Sequence, residues 1–575
     1  MTGAGAIAAV VAPLLVASAL AIPPCRSVAR RLAPWAALPA LLAPVLGAGT
    51  AEIPWLMFGG RLGLDGIGRA LLPPTAALWL VAGLAIPHLV GARRRDRFVA
   101  CFLLAMSGNF LVLAALEAVT FYLGFALMSF ASYGLVVHEG TGRARHAARY
   151  YLVMVVLGEV CVITGLMLLA SRGSIEFAAM RASFLVAEPA GNALVLGLLL
   201  VGFGVKAGVA GLHFWLPLAH PVAPAPASAV LSGTMIKAGL VAWIRFLPVG
   251  EIALPVVGLG VAAFGLGTAY YGVLAGLPQR EPKTVLAYSS VSQMGVMTVA
   301  IGGGLAFPDR WPLLQAAVLV YIVHHGLLKG SLFLGAGIAH HPLPRGTARM
   351  VAAGFVLAGL SMAGAPWTSG LVAKLGLKHA LPLAGSWHDL VPGLLVLSSL
   401  LTALLLLRFL WVAWPRVGRD SNPLPAWLPL AWAVLLTTAL ALPWWLAAAP
   451  DRVGGLAAAV NLEAAWPVAL AGLLALVVRR LPRARRITAR LSVPPGDLGI
   501  PLERVVAGMF ASAGRLLRVG LRQRLCQLWR RFGVLEAALP AAAGRAGQVE
   551  AMLATWVCTS LLLFVAALAA AWLLG

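Results

Sequence analysis

GFGVKAGVAGLHFWLPLAHPVAPAPASAVLSGTMIKAGLVAWIR, residues Gly202 to Arg245, sets two lysines in sequence apolar enough to sit in lipid. Lys206 and Lys237 lie on either side of a proline-rich break running from Pro217 to Pro226. An ammonium at bilayer depth costs at least roughly 2.5–3.5 kcal/mol on insertion scales, so it is kept for function and faces a partner or water rather than lipid. Two such residues around a broken helix point to an ion path.

The rest of the chain provides the setting. Of its 575 residues 61% are hydrophobic and 11% charged, against about 25% charged in an ordinary soluble domain. A hydrocarbon core needs about 20 apolar residues per helix, so the chain reads as an all-α polytopic membrane protein with about sixteen spans. The net charge of +24 would suggest nucleic acid in a soluble chain. Here the arginines sit mostly in short loops, where membrane orientation explains them, and no nucleic-acid partner is expected. Cys25, Cys101, Cys161, Cys526 and Cys558 are scattered with no C-x-x-C pair, which argues against an iron–sulfur cluster, a zinc site or a disulfide framework. No metal, cofactor or catalytic site is expected in this chain. The run from Ala4 to Pro23 lacks a basic n-region and a small-residue cleavage site, so it reads as a mature helix rather than a signal peptide.

Apolar runs place helices near 4–22, 33–49, 71–91, 99–115, 117–137, 148–170, 191–214, 224–247, 252–276, 284–304, 312–339, 350–382, 391–413, 426–448, 456–478 and 550–574. Alternate loops carry Arg26/Arg30/Arg31, Arg93/Arg94/Arg95/Arg97, Arg143/Arg145/Arg149, Arg280/Lys283, Arg345/Arg349, Arg416/Arg419 and the basic run from Arg479. By the positive-inside rule this set is cytoplasmic and both termini are outside.

Two helices read as discontinuous. One is the Lys206 region, with Gly202, Gly204, Gly208 and Gly211 ahead of the prolines; the other is Gly364-Ala365-Pro366-Trp367-Thr368-Ser369-Gly370, followed by Lys374. Broken helices at membrane depth belong where they line a cavity, and breaks at corresponding places in two halves point to a site between repeats. The expected organisation is N-terminal helices over 1–98, two five-helix repeats of opposite topology over 99–247 and 252–413, and C-terminal helices over 426–478. Residues 479–549 form a basic amphipathic segment, lying on the cytoplasmic face of the bilayer or along a neighbouring subunit, before a last helix over 550–574.

The ionisable residues inside the spans are Glu159, Lys206, Lys237, His324, His325, Lys329 and Lys374. A buried lysine exchanges its proton as neighbouring charges move, and histidine titrates near neutrality, so such a row can pass protons. His325 and Lys329, four apart, share a helix face, whereas His324 points elsewhere. His213 and His220 flank the break, where capping the backbone and admitting protons are both open. Glu117 reads as interfacial, Arg245 and Arg408 as snorkelling to headgroups, and Trp215 and Trp243 as belt or packing residues.

Four stretches carry a resemblance: Lys206 to Arg245, KTVLAYSSVSQMG from Lys283, HHGLLKGSLFLGAG from His324 and APWTSGLVAKLGL from Ala365. Over roughly 100–413 the chain is similar to the antiporter-like subunits of respiratory complex I, of membrane-bound hydrogenases such as formate hydrogenlyase, and of multisubunit Mrp-type sodium/proton antiporters. The resemblance implies a subunit of a multisubunit complex in the bacterial inner membrane, with other membrane subunits as partners. It also implies H+ transport, open to exchange for Na+, along a midplane axis of Lys206, Lys237, His325, Lys329 and Lys374. Related subunits of inorganic-carbon uptake systems imply an alternative coupling. The family's fifth helix reads like L-G-W-E where this chain has Leu123-Gly124-Phe125-Ala126, so its glutamate is replaced by Ala126. Glu117 is about 13 Å away along the helix and on the opposite face. Glu159 is the better partner for Lys206; with no carboxylate there, the chain would be a structural subunit that no longer pumps.

Overall fold

Proline and glycine decide where the helices stop. In the computed structural model, residues 3–46, 49–54, 59–381, 387–418, 420, 423–447, 462–480 and 494 are described. The chain divides into two units, Met1–Gly496 and Asp497–Gly575. The second unit, with most of the expected basic segment and the expected helix over 550–574, lies outside the described residues.

The helices run α1 (Ala4–Ala19), α2 (Arg26–Leu32), α3 (Leu38–Leu46), α4 (Gly66–Leu89), α5 (Arg95–Ala114), α6 (Ala118–Val136), α7 (Gly142–Ala170), α8 (Phe177–Ala182), α9 (Pro189–Ala207) and α10 (Trp215–Val222). They continue as α11 (Ala225–Val230), α12 (Lys237–Phe246), α13 (Pro255–Gly276), α14 (Pro282–Ala306), α15 (Trp311–Ala339), α16 (Arg345–Ala363), α17 (Ser369–Ala380), α18 (Trp387–Ala413), α19 (Trp427–Ala447) and α20 (Trp466–Arg480). Among the described residues, twelve helices are long and apolar enough to cross a membrane, thirteen if one bent pair counts as a single span.

The expected first two spans are where the structure differs. After α1 the chain turns by 114° into the segment Pro23–Leu32, and the next apolar helix, Pro34–Leu46, is too short to qualify as a span. Pro23, Pro24 and Pro34 are the physical reason, since each lacks an N–H and stops a helix running through it. A small antiparallel hairpin, β1 (Ala51–Ile53) and β2 (Gly60–Leu62), follows, and no alternating pattern in the sequence announced it.

Helix starts are set by side chains that accept free backbone N–H groups. Asp65 caps α4 through Gly68 N at 2.6 Å, Glu117 caps α6, and Thr141 caps α7. The two discontinuous helices end alike: α9 stops at Gly208 (φ 69°) and α16 at Gly364 (φ 81°), both in the left-handed conformation that glycine adopts without a Cβ clash. Three spans, Ala225–Phe246, α14 and α15, are wrapped almost entirely by the others. These three carry Lys237, His324, His325 and Lys329.

Candidate functional site

Lys206 is the penultimate residue of α9, two positions before the left-handed stop at Gly208, where the helix's free carbonyls favour a cation. Its Nζ donates to Ser129 Oγ on α6 at 2.9 Å and lies 5.5 Å from the centre of the Phe125 ring. Glu159, on α7, lines the same small cavity with Ser129, Tyr151 and Trp215. Tyr122 and Ser129 are its polar neighbours and Lys206 its nearest cation, but neither carboxylate oxygen meets hydrogen-bond geometry. The cavity measures about 10 Å³, the size at which one water begins to fit. Tyr122, Ala126 and Ser129 follow one another at helical spacing on one face of α6. Ala126 therefore belongs to the face that carries Lys206's and Glu159's polar neighbours.

Lys237 opens α12 after a π turn, Leu231–Met235, in which Ile236 N–H reaches back to Leu231 O at 3.2 Å. Its amine folds back onto Ser232 O. Ser232 Oγ meets Ser290 Oγ at 2.7 Å, Ser290 Oγ donates to Leu286 O at 3.0 Å, and Lys329 Nζ donates to that same carbonyl at 2.9 Å. A thread of polar contacts through α14 thus lies between Lys237 and Lys329, passing from backbone to side chain at Ser232 and meeting at the shared Leu286 carbonyl. No hydrogen bond joins Lys206 to Lys237 among the described residues; Gly239 on α12 packs there against Phe203 and Ala207 of α9.

His325 is fully buried with neither ring nitrogen partnered, within electrostatic reach of Lys237 and Lys329. His324 turns the other way, its Nδ1 3.0 Å from Ser369 Oγ at the start of α17, with Ser361 Oγ a further 3.0 Å from that hydroxyl. Lys374 on α17 donates to Ala363 O at 3.0 Å and Ser399 Oγ at 3.1 Å, and its charge is felt at His324. Helix α15 thus presents one imidazole to the Lys237 side and the other to the Lys374 side.

His220 is buried against Phe333, ring centres 4.4 Å apart, with both nitrogens unpartnered. The charges of Lys283, Lys329 and Lys237 all act on it. Lys283, read from sequence as a loop residue, sends its amine to Ala223 O between α10 and α11, 2.7 Å away. His213 contacts Tyr271 OH at 3.3 Å.

One expectation changes and two narrow. Glu117 stands at a helix end as expected, but its side chain is buried in the protein and accepts from Val119 N at 2.5 Å and Thr120 N at 2.9 Å, so it caps the start of α6. Arg245 does not snorkel. It is 1% exposed, with Nη2 3.0 and 3.1 Å from the two oxygens of Asp65, and it donates further to Val112, Leu113 and Ala115 carbonyls. Trp215 and Trp243 are internal props, donating to Val205 O and Leu199 O of α9. Among the described residues the fully buried acids are Glu117 and Glu159, which leaves Glu159 as the carboxylate available to the buried amines.

The serines of the thread were missed because a hydroxyl inside an apolar span reads like any small packing residue. Asp65 had a signal, an acid before Gly66-Ile67-Gly68 at a helix start, but its partner lies 180 residues away.

The family described as "NADH:quinone oxidoreductase/Mrp antiporter, TM" matches residues 115–402, half of the chain, which include the four motifs. The chain belongs to this family. Subunit N of the NADH-quinone oxidoreductase of Desulforudis audaxviator is 31% identical over 402 residues, covering 65% of this chain and 76% of that subunit. An uncharacterised protein of Mycobacterium tuberculosis is 33% identical over 362 residues, 59% of this chain, and this chain spans only 56% of that relative's length. Among solved structures, the Mrp complex from a Dietzia species is similar in fold, with a TM-score of 0.68 at 22% identity over 94% of this chain and 63% of that one. The protein is thus a multi-pass membrane chain of the antiporter-like kind.

Proposed function

We propose that this chain is the proton-translocating subunit of a multisubunit inner-membrane complex, passing H+ along Glu159, Lys206, Lys237, His325, Lys329 and Lys374. The observation that carries this reading is the thread from Lys237 through Ser232, Ser290 and Leu286 to Lys329, with unpartnered His325 beside it. Amines this deep cost several kcal/mol each unless paired, yet their partners here are neutral carbonyls and hydroxyls rather than carboxylates, so no fixed counter-charge holds the proton on the amine. The matching glycine stops at Gly208 and Gly364 support two repeats over 99–247 and 252–413, read here as opposite in topology, and the alternation of basic loops supports both termini outside. Relatives named for Mrp and NADH-quinone oxidoreductase complexes support membrane partners of that kind. The reading assigns no cofactor to this chain, so the drive comes from partner subunits or an ion gradient.

Ala126 favours a second reading, a structural subunit that keeps the fold without pumping. Glu159 beside Lys206 weighs against it, because it supplies the carboxylate that Ala126 lacks. Lys237→Ala in the intact complex, reconstituted in proteoliposomes, separates the two. Loss of H+ flux at normal assembly supports conduction; unchanged flux supports the structural role.

A further inference from the structure

Far from the buried lysines, the N-terminal edge carries an elbow that the proton path does not use. Helix α1 runs beside the full span α5, with Ser107 Oγ donating to Val10 O at 2.8 Å. Past Pro23 the chain turns by 114°, which leaves α2 close to perpendicular to α1 and so near the plane of the bilayer. Arg30 Nε lies 3.5 Å from Asp96 in the first turn of α5. That contact holds α2 at the level where α5 leaves the apolar core.

At about 3.6 residues per turn, α2 and its flank divide into three faces. Ala29 and Ala33 are buried against the rest of the protein, Val28 and Leu32 form an exposed apolar face, and Arg26, Ser27, Arg30 and Arg31 form an exposed polar one. Ile22 before the helix and Trp35 after it add half-exposed apolar surface. A helix lying in the membrane–water boundary needs this arrangement, with oil on one side and headgroups on the other. Tryptophan belongs at the same depth. Beside α2 stand exposed Arg93, Arg94 and Arg97, and Asp96 and Glu139 offset only part of this charge.

We propose that the elbow and the adjoining arginine loop form a binding site for an anionic phospholipid, its acyl chains along Val28, Leu32 and Trp35 and its phosphate held by Arg26 and Arg31. Guanidinium takes phosphate through paired N–H groups, and clusters of basic side chains beside a span draw anionic headgroups by a factor of about five for each one near the surface. A neighbouring subunit would have to bring both acids and an apolar face to this corner. One phospholipid brings both. The site requires no proton path.

The test captures whatever covers the apolar face. The photoreactive residue of Val28→benzoylphenylalanine is placed in the full complex, reconstituted in vesicles of equal parts phosphatidylglycerol and phosphatidylcholine. After illumination the adducts are identified by mass spectrometry. Phosphatidylglycerol adducts should exceed phosphatidylcholine adducts by about fivefold or more. Arg26→Gln with Arg31→Gln should bring the ratio close to one, and so should about 1 M salt, where the screening length falls to about 3 Å. The salt measurement needs no second variant, so it decides the matter should the doubly substituted complex fail to assemble. Inorganic phosphate at matched ionic strength should leave the ratio unchanged; a fall would mark a free-anion site and overturn the proposal. So would a ratio near one at the outset, a ratio that survives either change, or an adduct formed mainly with another subunit.

Discussion

Replacing Glu159 with Gln tests whether one carboxylate sets the charge of Lys206. The two share a cavity of about 10 Å³ without a hydrogen bond between them. At roughly 5 Å and an effective dielectric of about 20, their attraction is about 3 kcal/mol. That shifts the balance between charged and neutral Lys206 by a factor on the order of 100. Glu159→Gln is nearly isosteric, so it removes the charge and leaves the packing of α7 on α9. H+ flux through the intact complex, followed with a pH-sensitive dye in proteoliposomes, should fall toward that factor if protonation of Lys206 limits transport. Ala126→Glu in the Glu159→Gln background should restore a large part of it, because position 126 shares a face of α6 with Tyr122 and Ser129. A Glu159→Gln complex that assembles and conducts at the wild-type rate would refute the reasoning, whatever the second substitution does.

Asp65→Asn should lower the melting temperature of the solubilised complex by the equivalent of about 3 kcal/mol, since it leaves the buried Arg245 guanidinium short of its anion. Combining Asp65→Leu with Arg245→Met should cost less than the sum of the single changes, which a double-mutant cycle reads directly. Gly239→Ala puts a Cβ 2.6 Å from Phe203 O and 2.7 Å from Ala207 N. Backbone cannot yield there as a side chain would, so α12 must move off α9 at a cost of about 1–3 kcal/mol, seen as a reduced yield of assembled complex in size-exclusion chromatography. Glu117→Ala should cost about 1 kcal/mol through the lost cap while flux per assembled complex stays at the wild-type level. A drop in flux would instead put Glu117 on the path.

Much of this was legible in the sequence because oil is an unforgiving solvent. Lys206, Lys237, Lys329 and Lys374 stood out from apolar runs, and the glycine and proline clusters marked both breaks to within a few residues. What one chain could not show was pairing between distant segments. Arg245 near a helix end looked free to reach the headgroups, and only the fold brings Asp65 to it. The serines at 129, 232, 290 and 369 carried no signal, since one hydroxyl inside a span is as often packing as function. At the N-terminus, counting apolar residues placed two plain helices where prolines divide the stretch into shorter ones with a 114° bend.

Lys237 and Arg245 ride on one short helix that is held very differently at its two ends. At Arg245 five contacts to Asp65 and three carbonyls pin it; at Lys237 it begins from a widened π turn, a form frequent at functional sites. The helix therefore has one anchored end, where charge is neutralised, and one end where the regular ladder of backbone bonds is interrupted beside the titratable amine.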